Sequence, residues 1–363
     1  LYTGPITVSS TQMIRARIFQ PGKLPGETAS EAFLLLNSAA ATQNFSSAMP
    51  VMVVSNFLPS PPPVSKADQA AFLWLWEPTV PGVSTVKLTD PPTFTSRVRV
   101  RRRGSSTLDN PKYNLDLEIR NAYDDAERDT ALLGMPEHSD WIMHAPYSFD
   151  RSLMHNPFIF SVSNSIGRYA PRARMAEVFL EVTGSSLSFT NAASGDYYGI
   201  YNILEKIRRG GNRQNLSRLD TYNNGDSGKT GGYIWKVDRA DTDESFSAGG
   251  VPGSGGVGMA YDYPNGLSMK SPQRDPQEKY LTQYLNEFNT ALQAGKKDPL
   301  TGWPAYLDIV PTIDHHLMNT WALCVDALRL SAFWHKDRDA KMAAGPLWDF
   351  DRAFASADER SVA

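Results

Sequence analysis

Helical and strand periodicities alternate along this chain, and no fold built from one of them alone satisfies both. From Asp275 to Gln293, Tyr280, Leu281, Tyr284, Leu285, Phe288 and Leu292 recur at helical spacing, as on a helix with one apolar face. A second helix is expected from about Tyr306 to Ala327, and another from about Asp150. Elsewhere the apolar residues come in short runs between prolines and glycines. "MPVMVVSNF", "AEVFLEV" and "YYGIYNILEKI" read as strands, and in "RVRVRRR" Val98 and Val100 face one way while Arg97, Arg99 and Arg101 face the other. "AFWHKDRDAKMAAGPLWDFDRAF" reads as a β-hairpin ending in an acidic turn, and 245–258 as a flexible loop. The mixture predicts an α/β (α+β) protein.

With 363 residues, 41% of them hydrophobic and 21% charged, the composition excludes disorder, collagen and coiled coil. A net charge of -3 argues against a dedicated nucleic-acid binder. No run approaches the 18 or so apolar residues of a membrane span. A single cysteine, Cys324, excludes intrachain disulfides and leaves the redox compartment open. The chain starts at Leu1, so it reads as a piece of a longer protein, and the missing export signal carries no information.

Residues 1–36 contain short strands around Ile6, Val8, Ile14, Ala16 and Ile18, too few to fold alone. On "TGPI", "IRARIF" and "PGKLPGE" this stretch resembles the end of a chitobiase C-terminal β-sandwich, a module of secreted bacterial proteins. Residues 37–49 read as a linker and 50–363 as the main domain.

Three places could carry chemistry. In "GPLWDFDRAF", Asp349 and Asp351 flank Phe350 after an apolar run, and if the chain turns both carboxylates can reach a hard cation. An exposed acidic turn is the plainer alternative. Asp326 lies 23 residues before Asp349 at the expected end of a helix, with the predicted hairpin between. That is the order of a kinase catalytic acid followed by its metal-binding Asp, although Ser331 stands where a kinase has Asn. Asp326 could equally end the helix. Upstream, Gly104, Ser105 and Ser106 form a small-residue turn whose N–H groups could receive phosphate, with Lys112 opening the next strand. An ordinary hairpin explains that stretch as well.

Other signals are weaker. The nominal G-x-G-x-x-G at Gly253, Gly255 and Gly258 follows Pro252 and precedes no helix, so it reads as a decoy. Glu205 closes a strand and could pair with Lys112 or face a nucleotide. His315 and His316 lack zinc-protease spacing and read as surface or satisfied core histidines. Cys324 reads as core packing, and no G-x-S-x-G elbow occurs.

Taken together, "RRRGSS", "PKYNLDL", "LLGMPEHSDWIM", "SFDRSLMHNPF", "APRARMAEVFLEV", "YYGIYNILEKIRR", "RQNLSRL", "GGYIWKVDR", "QEKYLTQYL" and "GPLWDFDRAF" resemble the CotH kinase family, in the family's order. The resemblance implies an atypical protein-kinase-like fold using ATP with Mg²⁺ or Mn²⁺ to phosphorylate Ser or Thr of secreted, surface or coat proteins. By position it implies Asp326 as catalytic acid and Asp349 and Asp351 as metal ligands. It also places Gly104, Ser105, Ser106, Lys112, Glu205 and Lys236 at the nucleotide. Relatives commonly carry Asn where this chain has Cys324, so a catalytically inactive scaffold is the alternative. The sandwich fragment alone suggests a third reading, a carbohydrate-associated extracellular protein. Secretion or the cell envelope is the expected location.

Overall fold

The computed structural model describes residues 2–64, 67–189, 195–239, 244–253, 257–327 and 329–356. They form two compact units, Leu1–Tyr147 with Ala173–Glu205, and Ser148–Arg172 with Lys206–Ala363.

The first unit opens with an antiparallel hairpin of Gln12–Arg17 (β1) and Thr28–Phe33 (β2). Its main feature is a closed barrel of Val51–Ser55 (β3), Gln69–Trp76 (β4), Phe94–Arg102 (β5), Leu115–Ile119 (β6), Asp140–His144 (β7), Ala173–Glu181 (β8) and Tyr197–Glu205 (β9). The strand order is β7-β9-β8-β3-β4-β5-β6. All neighbours are antiparallel except β8 and β3, which run parallel with Glu177 opposite Val51.

Closure follows from strands with two apolar faces. Along β4, Ala71, Leu73 and Leu75 point into the barrel beside Trp141 and Met143. Their neighbours Phe72, Trp74 and Trp76 face an outer cluster with Phe45, Phe179 and Leu187. The arginine face of β5 is ion-paired. Asp124 takes Arg97 at 3.3 Å, Arg99 at 3.2 Å and Arg120 at 3.2 Å, while Asp116 takes Arg101 at 3.0 Å.

In the second unit, His155–Ser165 forms α1. A five-stranded antiparallel sheet consists of Tyr233–Arg239 (β10), Ser245–Phe246 (β11), Val257–Tyr263 (β12), Ala332–Lys336 (β13) and Met342–Ala344 (β14), in the order β11-β12-β10-β13-β14. Helix α2, Asp275–Gln293, packs Leu281 and Leu285 into the core cluster of Tyr233, Trp235 and Met342. Its bounds are those the periodicity predicts. A further helix, α3, spans Ile309–Trp321.

The α/β class and the protein-kinase-like fold are overturned. The chain is 31% strand and 18% helix, and its largest element is a seven-stranded barrel. An α/β sheet is mostly parallel and covered by helices on both faces, whereas one barrel pairing is parallel here and, among the described residues, the stretch 113–207 contributes one helix of 11 residues. Three local expectations also shift. The helix placed near Asp150 starts at His155, because the buried Asp150 carboxylate accepts the backbone N–H of Met154 and His155 ahead of it. The helix placed at 306–327 stops at Trp321, since Leu323 has a φ of 50° and breaks it. The segment read as a flexible loop contains paired strands, with Ser245 opposite Ala260 and Phe246 opposite Met259. Gly258 of the glycine triplet lies on β12, and Gly255 falls outside the described residues.

Candidate active site

The hairpin of β13 and β14 is followed by Gly345, whose φ of 117° suits glycine and whose N–H donates to the Phe333 carbonyl at 2.8 Å. Beyond it Trp348 stacks on Phe160 at 6.3 Å, and Phe350, 1% exposed, meets the same ring edge-on at 6.4 Å. The Phe350 N–H donates to Asn156 Oδ1 at 2.8 Å. Phe350 is thus the buried anchor of the acidic turn, which separates Asp349 and Asp351 from a plain solvated loop.

Asp349 has a φ of 63°, in the left-handed region that a short polar side chain tolerates better than most. Its Oδ2 accepts from Ser331 Oγ at 2.9 Å, and Ser331 itself has a φ of 52°. Two non-glycine residues in this region, bonded to each other, indicate local backbone strain of the kind that gathers at functional sites.

Asp326 lies in the turn after α3, where its carboxylate accepts from Arg329 Nη2 at 2.9 Å and is 3.9 Å from Arg352 Nε. The Arg352 guanidinium covers the Phe149 ring at 3.9 Å. Burial pushes the Asp351 carboxyl up to about 8; the Asp349 charge and, more weakly, Asp326 act in the same direction, with Arg352 opposing them. Burial raises the Cys324 thiol to about 12, so it is neither a nucleophile nor a metal-binding thiolate at neutral pH.

Asp326, Asp349, Ser331, Cys324, His315 and Asn319 line one enclosed cavity of about 10 Å³, the room of a single water-sized particle. Among the described residues no three His, Cys, Asp or Glu side chains are gathered closely enough to hold a cation by themselves. This donor set still fits Mg²⁺ or Mn²⁺, which commonly take one or two carboxylates and complete their shell with water and phosphate oxygens.

The remaining candidates divide between the units. In the second, Lys236 is half-buried on β10, pairs with Asp238 at 3.4 Å and lies opposite Phe333 of the site hairpin. In the first, Gly104 has a φ of 118° and packs so closely on Thr107 Oγ1 that a Cβ would collide. Ser105 and Ser106 follow it in the turn. The Lys112 ammonium donates to the carbonyls of Pro146 at 3.2 Å and Ile200 at 2.5 Å, with Nζ 4.9 Å from the Tyr201 ring centre. Glu205 is fully buried at the end of β9. Thus Lys236, Asp326, Asp349 and Asp351 belong to the second unit, and Gly104, Ser105, Ser106, Lys112 and Glu205 to the first.

Sequence reasoning passed over the supports of this site. His155 Nδ1 donates to the Asp351 carbonyl at 3.1 Å, and its Nε2 is 3.6 Å from the buried Asp150 carboxylate. Asn156 and Asn319 were missed too. The only signal for the first three is their place in the quoted block "SFDRSLMHNPF".

The hairpin exit thus combines two carboxylates lining one cavity with left-handed backbone at Ser331 and Asp349. The family described as CotH kinase protein matches residues 100–362, and the chain belongs to that family. No curated protein matches the chain.

Proposed function

We propose that this chain is an ATP- and divalent-metal-dependent protein kinase that transfers the γ-phosphoryl group to Ser or Thr of secreted, surface or coat proteins. Family membership supports kinase-like activity in general. The finer reading is carried by one observation, that Asp326 and Asp349 line one cavity at the hairpin exit.

Asp349 and Asp351 would hold the metal, which when bound neutralises charge on the phosphate oxygens. Asp326 aligns the acceptor hydroxyl and takes its proton as the oxygen bonds to the γ-phosphorus and the bond to the β-phosphate oxygen breaks. Arg329 and Arg352 orient the Asp326 carboxylate. Lys236, in the same unit as the three acids, is assigned to the nucleotide. A location outside the cytoplasm, in the envelope or medium, accompanies this reading.

A catalytically inactive coat or surface scaffold is the second reading. Lys112, whose ammonium already serves two backbone carbonyls, favours it, as does Cys324.

The test is thermal unfolding with Mg²⁺ or Mn²⁺, with and without ATP, for wild type and Asp349→Ala. A ligand at about 100 times its dissociation constant adds about 2.7 kcal/mol to the folded state. A metal-dependent rise in midpoint that Asp349→Ala abolishes is expected. No rise under any condition would leave the scaffold reading.

A further inference from the structure

Helix α3 carries apolar residues on the side away from the core as well as on the side toward it. His315, Met318 and Asn319 are buried. Val310, Ile313, Leu317 and Trp321 recur at helical spacing on the other side, each 50–61% exposed. A helix that is apolar on both sides is ordinarily covered on both.

Helix α1 extends this face. The Phe158 ring lies 5.9 Å from the Trp321 ring, and Arg168, just past the end of α1, meets Asp314 at 2.7 Å. These two contacts set the helices side by side and in opposite directions, within one unit. Phe158 and Ile166 add two half-exposed side chains to the face. Neither helix carries Lys, Arg or Glu, and their one Asp, Asp314, is taken by Arg168.

We propose that this two-helix face is the interface of a homodimer, in which a second copy of the chain lays the same face against it about a two-fold axis. Area and charge select that occupant. At about 150–250 Å² to a large side chain, the six residues open about 600 Å² of apolar surface, the top of the range of about 300–600 Å² that a monomer exposes. A standard interface takes about 800 Å² from each partner, and the exposed polar neighbours Ser161, His316 and Thr320 add a rim to the apolar centre. In a two-fold contact each side chain meets the same surface on its copy, so a charge at the centre would be set against its twin. This face has none there, and a charged peptide would find no partner on it. The net charge of -3 sets little repulsion between two copies. Two antiparallel helix pairs laid face to face also make the four-helix packing that apolar helix stripes form in bundles. Such a dimer requires neither ATP nor metal.

Sedimentation velocity of the full chain at micromolar concentration, without nucleotide or metal, tests it. Wild type is expected at twice the chain mass. Leu317→Asp should weaken dimerisation about a hundredfold or more, because each copy then sets a charge against apolar surface and against its twin, while far-UV circular dichroism stays that of wild type. Leu317→Lys should dissociate in the same way, and an equimolar mixture of the two variants should recover the dimer, since opposite charges then face each other. Ile18→Asp, at a 76% exposed apolar position of the other unit, should leave the dimer intact. A monomeric wild type overturns the proposal. So does a dimer that Leu317→Asp and Leu317→Lys leave at wild-type affinity, or a mixture that associates no more tightly than its components. If the monomeric wild type binds phosphatidylcholine vesicles and Leu317→Asp does not, the face belongs to a lipid surface and the dimer is likewise overturned. Should the Leu317 variants fail to fold, Ile313→Lys decides, and wild-type dimerisation there overturns the proposal.

Discussion

The barrel unit and the hairpin exit of the second unit bury charge on opposite terms. In the barrel, Glu181 is fully buried and accepts from Ser55 Oγ at 2.7 Å, Thr183 Oγ1 at 2.6 Å and the Thr183 N–H at 3.0 Å. Asp124 is matched to three arginines. At the hairpin exit burial and the Asp349 charge push the Asp351 carboxyl up, and Ser331 and Asp349 both hold left-handed backbone. Charge met by donors on the wall of a closed sheet fixes a structure. Unmatched charge on a strained turn lowers stability and is retained where it serves chemistry. The two regions should therefore respond differently to substitution.

The largest effect is expected in the barrel. Trp141 is completely buried and its Nε1 donates to the His138 carbonyl at 2.8 Å. Trp141→Ala opens a cavity and should lower stability by about 3–5 kcal/mol. Hydrogen exchange read on peptides of each unit checks it, with loss of protection expected in β3 through β9. Equal loss in β10 through β14 would mean that the two units unfold as one, and the contrast between them would fail.

One titrating group from each unit comes next, and these two act with opposite signs. In the barrel unit, burial and the neighbouring Glu181 charge raise the Asp196 carboxyl to about 6, against N–H donation from Ser188. An unfolded Asp titrates near 3.9, so the stability held by the protonated form is complete below that value and is lost as pH rises through about 6. In the second unit Lys336, 1% exposed, is lowered to about 8 by burial, with Asp339 and Asp337 opposing. Its contribution has the other sign, being complete above the unfolded value near 10.4 and lost as pH falls through about 8. Each amounts to about 3 kcal/mol across its window. Urea unfolding against pH should show barrel stability falling from pH 4 to 6 and second-unit stability rising from pH 8 toward 10. Asp196→Asn and Lys336→Met should each flatten only their own slope.

What the sequence made legible follows the range over which each feature is determined. Helix α2 was readable to the residue because its stripe of Tyr280, Leu281, Tyr284, Leu285 and Phe288 is a local period. The hairpin before Asp349 was readable for the same reason. Barrel closure was not. It depends on β8 lying parallel to β3, with Glu177 opposite Val51, and alternation within a strand does not say which distant strand it joins. Apolar residues on both faces of β4 were the available hint, since one face fills the barrel and the other the outer cluster. The supports of the site were hidden by distance too. His155 and Asn156 reach Asp351 and Phe350 across more than 190 residues. Asn319 lies on a helix whose end was placed six residues late, at Ala327 instead of Trp321.

At the hairpin exit the comparison sharpens, because function and stability should move apart. Asp349→Asn keeps an acceptor for Ser331 Oγ and removes a charge that acts on the buried Asp351 carboxyl. Outer-shell changes at metal sites typically cost 10–100-fold, so a direct ligand should cost at least about a hundredfold in metal-dependent phosphoryl transfer. Stability should hold or rise. A variant that is both inactive and clearly less stable would place Asp349 with the matched charges of the barrel. Turnover on a generic basic protein and a urea midpoint, taken on the same preparation, measure the two together.

The smallest effect is expected at the anchor beneath the acids. Asn156 Oδ1 accepts the Phe350 N–H, and both residues are almost wholly buried. Asn156→Ala leaves that N–H without its partner, which costs about 1–3 kcal/mol, and Asn156→Asp restores an acceptor. The loss should appear in the exchange rate of the Phe350 amide before it appears in global unfolding, because the bond holds one turn and no sheet. If the turn is what aims Asp349 and Asp351, Asn156→Ala also weakens Mn²⁺ binding and Asn156→Asp recovers it. An Asn156→Ala variant with a fast-exchanging Phe350 amide and undiminished Mn²⁺ affinity would show that the carboxylates are aimed without the Asn156 bond, and that the buried anchor serves the fold as the barrel core does.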